Sequence, residues 1–443
     1  MNTKIFKAYD IRGIYPSEIN EDIAYKVGRA IVVFTKAKKI AVGRDMRVSS
    51  PELFDALARG ITAQGADVVD IGMCTTPMLD FATANYEEND AGIMITASHN
   101  PKEYGGLKLF NSDVSSIGGG SGMEEIRDMV LRNNFSNAIC GKIEKFDVLE
   151  PYIKKIYEIV DIKKIADLKI AIDVGNGMAG IPLKRIFKDL PCKIIPLYLD
   201  PDGDFPNHQP NPSEEKNLKD LKKAVIKNRC DLGIAFDGDG DRCKFIDEKG
   251  NPLRGDITTI ILAKKLLKEN PGRTIVYDII SSWSVPEEVE KAGGRAVVSR
   301  VGHSFMKATM KKENAILGGE MSGHFYYGSF FSAESSMLTM LMFLVEMSVE
   351  TLHVTSLQSQ YHHTGEINFE VADKEAKIQQ VEEKYSEGAK DISHLDGVKI
   401  EFEDWWLSVR PSNTEPFLRL NLEAKTKELM EEKRDEISKL LSV

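Results

Sequence analysis

The chain has 443 residues, too many for one hydrophobic core, and its length alone predicts about three domains. Hydrophobic residues make up 42% and charged residues 28% of the chain, which is typical of a globular protein. The formal net charge of -10 argues against general nucleic-acid binding, which needs a basic surface. It still permits a local positive cleft for anionic small molecules.

The cysteines and the apolar stretches indicate where the protein resides. The five cysteines form no CxxC pair, and their odd number suggests reduced thiols in a cytosolic protein. The start, MNTKIFKAYDIRG, lacks the apolar region of a secretory signal. The most apolar stretch, residues 337–347, has about half the length of a membrane span. We expect a cytoplasmic protein with neither membrane nor nucleic-acid partners.

Strand and helix patterns alternate through most of the chain. Alternation of this kind predicts parallel or mixed sheets covered by helices on both faces. The predicted strands are 39–43, 66–71, 91–96, 168–174, 192–199, 231–236, 274–279, 296–301 and 315–317, and the predicted helices between them include 50–64, 77–86 and 213–228.

Three such α/β units precede a different tail. From about residue 365 the pattern is a strand, a charged helix at 374–387, aromatic-rich strands and a Lys/Glu-rich helix, which predicts a small α+β domain. We expect domains at 1–147, 148–254, 255–364 and 365–443. Ligands bind such sheets at the carboxyl ends of their strands, so the loops at those ends are the candidates for a site.

The loop ITASHNPKEYGG, residues 95–106, follows one of these strands and presents Ser98, His99 and Asn100 before a proline. By itself it is compatible with a nucleophilic serine or with an ordinary turn. No GxSxG motif frames Ser98, which disfavours a serine hydrolase. Because adjacent side chains on a turn rarely face each other, we expect His99 to shape the loop or contact phosphate rather than to act as a base.

A second loop, DGDGDR, offers Asp237, Asp239 and Asp241 with glycines between them. Alternate carboxylates on a tightly curved backbone can converge on one hard cation. A calcium EF-hand is a competitor because Glu248 stands at the twelfth position. However, Arg242 stands at the sixth, where that loop needs glycine, and the flanks resemble strands. Mg²⁺ is favoured, with a solvated acidic turn as the alternative.

Two further loops offer polar groups suited to a sugar phosphate. GGEMSGH carries Glu320, Ser322 and His324, whose side chains can bind hydroxyl groups, although a glycine-rich turn with incidental polar residues fits equally. The stretch RPSNTEP, followed by an arginine, offers a guanidinium, hydroxyls, an amide and backbone N–H groups suited to phosphate, with an ordinary turn as the alternative.

Basic residues also stand on tight loops near the start of the chain. Arg12 lies in YDIRG, and Arg44 and Arg47 lie in GRDMR, where structural Arg–Asp pairs are the favoured interpretation. Lys108 follows Ser98 closely enough to reach the same site. A phosphate-handling serine, a magnesium loop, a sugar-hydroxyl loop and a phosphate loop together describe one reaction.

The motifs TASHNP, DGDGDR, GEMSGH and RPSNTEP, in this order and at this spacing, resemble those of the α-D-phosphohexomutases. FKAYDIRG near the start and VGHSFMK at 301–307 extend the resemblance over essentially the whole chain. The resemblance implies three α/β domains and a C-terminal α+β domain around a central cleft, with the last domain closing over the substrate.

The resemblance also implies a role for each matching residue. Ser98 would be the phosphoserine, Asp237, Asp239 and Asp241 would bind Mg²⁺ together with a phosphoserine oxygen, and Arg242 would act near the transferred group. The remaining implied roles are contacts with sugar hydroxyls for Glu320 and Ser322, phosphate or other substrate contacts for Arg410, Ser412, Asn413, Thr414, Arg419, Tyr9, Arg12 and His99, and acid/base or second-phosphate roles for Lys108, His303 and His324.

The implied reaction interconverts hexose 1-phosphate and hexose 6-phosphate through a hexose 1,6-bisphosphate, which also serves as activator. Met321 in GEMSGH and the form SNTEP favour mannose, with glucose also accepted. The alternatives are a phosphoglucosamine mutase, a Mg-dependent sugar phosphatase and a non-catalytic sugar-phosphate-binding protein. Ile280 stands where many relatives place a basic residue, which puts one phosphate contact in question. We expect a monomer or a small homo-oligomer.

Overall fold

The structure, a computed structural model, forms two compact units. The first comprises Met1–Leu253 and Ser322–Thr351, and the second comprises Arg254–Met321 and Leu352–Val443. None of the described helices is long and apolar enough to cross a lipid bilayer. The structure describes residues 2–136, 138–349, 360–412 and 417–442.

Helices and strands alternate along most of the described chain. The α-helices are α1 (Glu21–Thr35), α2 (Ser50–Ala63), α3 (Thr76–Asn85), α4 (Met123–Arg132), α5 (Leu149–Ile159), α6 (Gly180–Ile186), α7 (Lys219–Asn228), α8 (Gly255–Glu269), α9 (Ser284–Lys291), α10 (His303–Glu313), α11 (Ser336–Val349), α12 (Lys374–Tyr385) and α13 (Lys427–Leu441).

The strands divide among several sheets. They are β1 (Ile11–Ile14), β2 (Lys39–Arg44), β3 (Asp67–Met73), β4 (Ala91–Ile95), β5 (Tyr104–Asn111), β6 (Ile143–Lys145), β7 (Lys169–Asp173), β8 (Lys193–Leu197), β9 (Leu232–Phe236), β10 (Cys243–Ile246), β11 (Thr274–Asp278), β12 (Arg295–Ser299), β13 (Leu317–Gly319), β14 (Phe325–Tyr327), β15 (Ala333–Glu334), β16 (His362–His363), β17 (Ile367–Glu370), β18 (Asp391–Ser393), β19 (Val398–Glu401), β20 (Trp405–Pro411) and β21 (Phe417–Ala424).

The first sheet of the first unit is mixed and has the order β1-β5-β4-β2-β3-β6. Strand β2 runs parallel to β3 and β4, whereas β4 and β5 form an antiparallel pair. Residues of α1, α2 and α4 pack with the apolar strands in one buried core. Asn20 caps the start of α1 and Thr75 caps the start of α3, each by accepting a hydrogen bond from a first-turn amide.

The second sheet of the first unit has the order β10-β9-β7-β8. Strands β7, β8 and β9 are parallel, and β9 and β10 are antiparallel neighbours joined by the DGDGDR loop. The prediction that strands flank this loop is confirmed. The same unit also holds the short hairpin β14–β15 and the buried apolar helix α11.

The second unit contains the parallel strands β12, β11 and β13, with β11 in the middle, and a mostly antiparallel C-terminal sheet. That sheet has the order β16-β21-β20-β19-β18, with β17 also paired to β21. Helices α12 and α13 contribute Val381, Tyr385, Ile437 and Leu441 to its core. The predicted α/β class with a C-terminal α+β part is confirmed.

Two details differ from the predicted elements. The helix predicted from residue 213 begins at Lys219, because Glu215–Leu218 forms a separate 3₁₀ turn after the proline-rich connector. Strand β5 was not predicted, since Gly105 and Gly106 suggest a loop, and its order depends on pairing with β4 and β1. This second difference matters because β5 carries Lys108.

Candidate active site

Ser98 lies in the connection between the antiparallel strands β4 and β5 and is 2% exposed. Its backbone is left-handed, with φ of 49°, a conformation that costs a non-glycine residue about 1–3 kcal/mol and is concentrated at functional sites. The Ser98 amide donates to Thr96 Oγ1 at 2.8 Å. The Ser98 hydroxyl donates to Asp237 Oδ2 at 3.0 Å, which joins the serine loop to the acidic loop.

His99 Nδ1 lies 3.3 Å from Ser98 Oγ, so the two adjacent side chains do meet, contrary to our expectation for a turn. Burial, together with the positive charges of Arg242 and Arg12, lowers the pKa of His99 well below its ordinary value. The imidazole is therefore neutral near neutral pH. Its place beside Ser98 is compatible with either predicted role, shaping the loop or contacting phosphate.

The acidic loop brings one carboxylate oxygen from each of Asp237, Asp239 and Asp241 within 4.8 Å of one another, and all three residues are buried. Asp237 Oδ1 accepts the amides of Asp241 and Arg242, each at 3.1 Å. Among the described residues, Asp239 Oδ1 has no hydrogen-bond partner. Buried carboxylate oxygens are costly without compensation, so this donor set fits a hard divalent cation.

Glycines allow the acidic loop to approach the serine loop. A Cβ on Gly238 would lie 2.4 Å from the Ser98 carbonyl oxygen, a distance that no side chain tolerates. Gly240 has φ of +69°, the left-handed region, and its carbonyl accepts the Ser336 hydroxyl at 2.6 Å. The glycines between the aspartates are therefore required both for curvature and for the close approach of two loops.

Lys108 reaches the acidic loop from β5, where it pairs with Met94. Its ammonium group donates to Asp239 Oδ2 at 2.7 Å and to Asp241 Oδ2 at 2.6 Å. Burial alone would lower the pKa of Lys108, but the two carboxylates outweigh it and raise the pKa above the ordinary value. Lys108 is therefore a fixed positive charge at neutral pH.

The pKa values of Asp237 and Asp241 are shifted in opposite directions. Burial and the charges of Asp241 and Asp239 raise the pKa of Asp237 well above its usual range. Burial also opposes ionisation of Asp241, but Lys108 and His324 outweigh it and lower the pKa of that residue. The lowered pKa favours the ionised form of Asp241. The raised pKa of Asp237 means that this carboxyl group ionises readily only when further positive charge is close.

Arg242 and His324 extend the site on the other side of Asp241. Arg242 Nε donates to His324 Nε2 at 3.1 Å, and His324 Nδ1 lies 2.8 Å from Ser322 Oγ. His324 Nε2 also lies 3.4 Å from Asp241 Oδ1. Three predicted residues from two distant loops therefore contact one another around the acidic triad.

The YDIRG segment contacts the serine loop directly. Arg12 Nη1 donates to Asn100 Oδ1 at 2.6 Å, and its other amino group pairs with Asp10. Tyr9, also predicted for this site, is half-buried immediately before Asp10. Arg12 Nε and Asp10 Oδ1 are buried, and neither atom has a hydrogen-bond partner among the described residues.

Two contacts with these loops were missed. Thr76 Oγ1 donates to Asp239 Oδ2 at 2.7 Å. Arg47, expected only in a structural Arg–Asp pair, does pair with Asp45 but also binds carbonyls of the serine loop. Arg47 stands in a charged motif at the end of a strand, which is a usable signal. Thr76 carries no such signal, because a threonine at a helix start is normally interpreted as a cap.

The second unit brings Glu320 to the VGHSFMK segment. Glu320 Oε1 accepts the amide of Gly302 at 2.6 Å, and His303 is the first residue of α10. Asp278 Oδ2 accepts the amide of Met321 at 2.9 Å. Burial and the nearby Glu320 raise the pKa of Asp278 to about 7. Glu320 belongs to this unit, whereas Ser322 and His324 belong to the first.

Arg410 and Arg419 face each other as direct partners on β20 and β21. Glu366 lies beside both, accepting Arg410 Nη2 at 2.7 Å and lying 3.4 Å from Arg419 Nε. The Ser412 amide donates to the Phe417 carbonyl at 2.9 Å, next to the pairing of Pro411 with Leu418. Two opposed guanidinium groups suit an anion.

Two further sequence predictions concern the second unit. Asn413 and Thr414, predicted to bind phosphate, lie outside the described residues. Ile280, the departure from the family pattern, is 4% exposed, and its carbonyl oxygen lies 3.1 Å from His363 Nε2. Its side chain is packed and offers no basic contact.

Comparison with protein families matches most of the chain in four consecutive parts. The matching families are the phosphoglucomutase/phosphomannomutase alpha/beta/alpha domains I, II and III, over residues 3–137, 150–250 and 254–364, and the C-terminal domain, over 366–440. The chain belongs to the phosphoglucomutase/phosphomannomutase family.

Similar proteins agree with this assignment over their full lengths. A phosphomannomutase of Methanocaldococcus jannaschii is 41% identical, covering 99% of this chain and 97% of that protein, and one of Escherichia coli is 40% identical, covering 95% and 94%. A solved phosphoglucomutase/phosphomannomutase family structure from Burkholderia thailandensis has a TM-score of 0.91 at 31% identity, covering 100% and 97%. The protein is a hexose phosphate mutase, an isomerase.

Proposed function

We propose that the enzyme interconverts hexose 1-phosphate and hexose 6-phosphate with Ser98 as the phosphoryl carrier, and that mannose phosphate is the preferred substrate with glucose phosphate also accepted. The observation that carries the proposal is the contact of 3.0 Å between Ser98 Oγ and Asp237 of the acidic triad. A lone serine turn would need no such neighbour. A phosphoserine at this position would stand beside a cation site.

In the first transfer, a free hydroxyl oxygen of the hexose monophosphate attacks the phosphorus of phospho-Ser98. The bond between phosphorus and Ser98 Oγ breaks and a bond between phosphorus and the sugar oxygen forms. The sugar hydroxyl gives its proton to a base, and Ser98 Oγ takes up one proton in turn. The product is a hexose 1,6-bisphosphate and a free Ser98. The second transfer reverses these changes at the other phosphate, which returns to Ser98. Added hexose 1,6-bisphosphate therefore activates unphosphorylated enzyme.

Charge neutralisation is the main demand of phosphoryl transfer. We assign Asp237, Asp239 and Asp241 to Mg²⁺, which when bound supplies positive charge to the phosphoryl oxygens. Lys108 and Arg242 are assigned to the same charge balance, since both contact the triad and both are cationic. Proton exchange with the sugar hydroxyl is assigned to the imidazoles of His324 and His303.

Recognition of the sugar and of the second phosphate is assigned to the remaining loops. Glu320 and Ser322 would bind sugar hydroxyls, and Tyr9, Arg12 and His99 would contact substrate near Ser98. The arginines Arg410 and Arg419, with Ser412, Asn413 and Thr414, would bind the phosphate that is not transferred. We propose that the TASHNP, DGDGDR, GEMSGH and RPSNTEP loops lie one in each of four domains, in that order. The proposed domains are 1–147, 148–254, 255–364 and 365–443.

The preference for mannose rests on Met321 in GEMSGH and on the similar proteins that are named phosphomannomutases. Mannose and glucose differ only at the C2 hydroxyl, so discrimination between the two sugars is expected to be slight. A coupled assay on mannose, glucose and glucosamine phosphates tests this. A higher kcat/KM for glucosamine 6-phosphate than for either neutral sugar would contradict the assignment.

The role of Ser98 is tested by Ser98→Ala. We expect a loss of turnover of at least about 1,000-fold, since the covalent carrier is gone, with an unchanged circular dichroism spectrum. Intact-mass measurement after incubation with glucose 1,6-bisphosphate should show one phosphoryl group on the wild type and none on the variant.

Ser17→Ala, at an exposed serine of the same unit, serves as the control and should keep full activity and phosphorylation. Near-normal turnover by Ser98→Ala would refute the carrier role. Free phosphate accumulating without any bisphosphate would favour the phosphatase alternative.

A further inference from the structure

A buried guanidinium group, that of Arg47, binds the main chain of the Ser98 loop. Its Nη2 donates to the carbonyl oxygens of Ser98 and Asn100 at 2.9 and 2.6 Å. Its Nη1 donates to the carbonyl oxygens of Pro101 and Tyr104 at 2.6 and 3.1 Å. One side chain thus donates hydrogen bonds to four carbonyl groups between Ser98 and the start of β5.

Arg47 is itself held in one orientation. Its Nε donates to Asp45 Oδ2 at 3.1 Å, and Asp45 Oδ1 accepts the Ser50 hydroxyl at 2.6 Å. The Asp45 amide donates to the carbonyl of Ile95, the last residue of β4, at 2.9 Å. The Phe205 ring lies 5.2 Å from the guanidinium carbon. With 1% of its surface exposed, Arg47 has little freedom to reorient.

The carbonyl groups need this cation. Several carbonyl oxygens that point at one buried position repel one another, and a cationic donor between them offsets that repulsion. Of the four, the carbonyl of Pro101 also accepts the Tyr104 amide, at 3.1 Å. The planar guanidinium fork satisfies them at fixed angles, which an ammonium group cannot reproduce. The Ser98 carbonyl oxygen is also the atom that limits the approach of Gly238, since a Cβ on that glycine would lie only 2.4 Å away. Its position therefore sets the distance between the serine and acidic loops.

We propose that Arg47 is a positioning residue that holds Ser98 in its left-handed conformation, from which the phosphoryl group is transferred. The proposal rests on the proposed function of Ser98 as carrier. Within the described residues, the side-chain hydrogen bonds of Arg47 go to backbone atoms of this loop and to Asp45. Arg47 acts on the reaction through the orientation of Ser98 Oγ toward Asp237. Binding of the hexose phosphate does not depend on it.

The test is Arg47→Lys, with Arg44→Lys as the matched control. Arg44 stands at the end of β2, three residues before Arg47, but its guanidinium contacts Asp70 at 2.7 Å and the Phe54 ring instead of the serine loop. Each protein is phosphorylated with glucose 1,6-bisphosphate, and its phosphoserine content is measured by intact mass. Transfer to hexose monophosphate is then followed by rapid quench and expressed per mole of phosphorylated Ser98.

We expect Arg47→Lys to transfer about 100-fold more slowly per phosphorylated site, the effect of a small misplacement of a reacting group, with KM for hexose monophosphate unchanged. Arg44→Lys should match the wild type. Normalising to phosphorylated sites removes any effect of a smaller folded fraction. An unchanged rate per phosphorylated site in Arg47→Lys would overturn the proposal.

If Arg47→Lys does not fold, Asp45→Asn replaces it, since that change keeps Arg47 but removes the carboxylate that orients it. The expected result is a reduction of about tenfold in the same rate, again with KM unchanged. A wild-type rate would overturn the proposal. Absence of phosphate on Ser98 in the wild-type enzyme would refute the proposed function itself, which separates the two failures.

Discussion

At the scale of single residues, the acidic loop depends on a partner from another part of the chain. Thr76 Oγ1 and its amide donate to the side chain and carbonyl of Asp239, at 2.7 and 3.0 Å. These bonds leave Asp239 Oδ1 as the oxygen without a partner among the described residues. Thr76 thus orients a proposed metal ligand, as groups behind a metal site commonly do.

We predict that Thr76→Val weakens Mg²⁺ binding by about tenfold, because the isosteric change removes the hydroxyl that orients Asp239. Isothermal titration calorimetry with magnesium chloride measures this without turnover. Thr76→Ser should restore most of the affinity.

Thr83→Val is the control, since Thr83 lies on the same helix and its hydroxyl bonds to the Leu79 carbonyl instead. Equal magnesium affinities for Thr76→Val and the wild type would show that Asp239 needs no such orientation.

Residues whose chemistry lies within one short motif were predictable. Ser98 and the three aspartates are recognisable because their neighbours in the same loop carry the signal. Glu366 was not predictable as a neighbour of Arg410 and Arg419, because only the pairing of β17 with β21 brings it beside them. A threonine or glutamate in the sequence is compatible with many partners, and the tertiary contact selects one.

At the scale of elements, the helices α1 and α2 pack more closely than ordinary side chains permit. A Cβ on Gly60 would lie 2.1 Å from the carbonyl oxygen of Tyr25, and a Cβ on Gly28 would lie 2.4 Å from that of Leu57. Both atoms met are backbone atoms, so they cannot move aside without shifting a helix. The two glycines therefore set the distance between the helices.

We predict that Gly60→Ala lowers the free energy of unfolding by about 1–3 kcal/mol, because the overpacking outweighs the gain of about 1 kcal/mol in helix propensity. Urea denaturation followed by circular dichroism measures the change. The neighbouring exposed Arg59→Ala should alter stability by less than about 0.5 kcal/mol. A Gly60→Ala protein at least as stable as the wild type would show that the helices separate at no cost.

The hairpin of β4 and β5 shows what element prediction achieved and what it missed. The apolar run of β4 was predicted from its hydrophobicity, and the structure confirms it at Ala91–Ile95. Strand β5 was missed because Gly105 and Gly106, near its start, have low strand propensity. Pairing on both edges, with β1 and β4, provides the order that local preference lacks. The position of Lys108 opposite Met94 follows from this pairing.

At the scale of the whole molecule, stability should depend on pH through His208. His208 Nε2 lies 3.1 Å from Asp173 Oδ2 at the end of β7. Burial alone would lower the pKa of His208, but the hydrogen bond and charge of Asp173 outweigh it and raise the pKa. A group with a raised folded pKa stabilises fully below its unfolded pKa, and that contribution is lost as pH rises through the folded pKa.

We predict that His208→Gln destabilises the protein more at about pH 6 than at about pH 9, where the wild-type imidazole has lost its proton. Urea denaturation at the two pH values measures the difference between variant and wild type. Ser17→Ala, at an exposed serine without a titrating group, is the control and should change stability equally at both pH values. An equal loss of stability at both pH values would contradict the charge-based explanation.

The class of most elements, the order of α/β parts before an α+β tail, and the four loops typical of the family could be predicted from the sequence. These features depend on local periodicity and on short motifs, in which the interacting residues are close along the chain. The family match and the similar proteins confirm that interpretation.

Which side chains contact one another depends on the packing of the folded chain. The contact between Ser98 and Asp237 spans 139 residues, and that between Thr76 and Asp239 spans 163. Contacts at such separations depend on how whole sheets and helices pack, and their hydrogen bonds form only once the buried atoms exclude water. For that reason Arg47 is predicted from the sequence as one half of a local ion pair, whereas in the folded protein its buried guanidinium also supports the Ser98 loop.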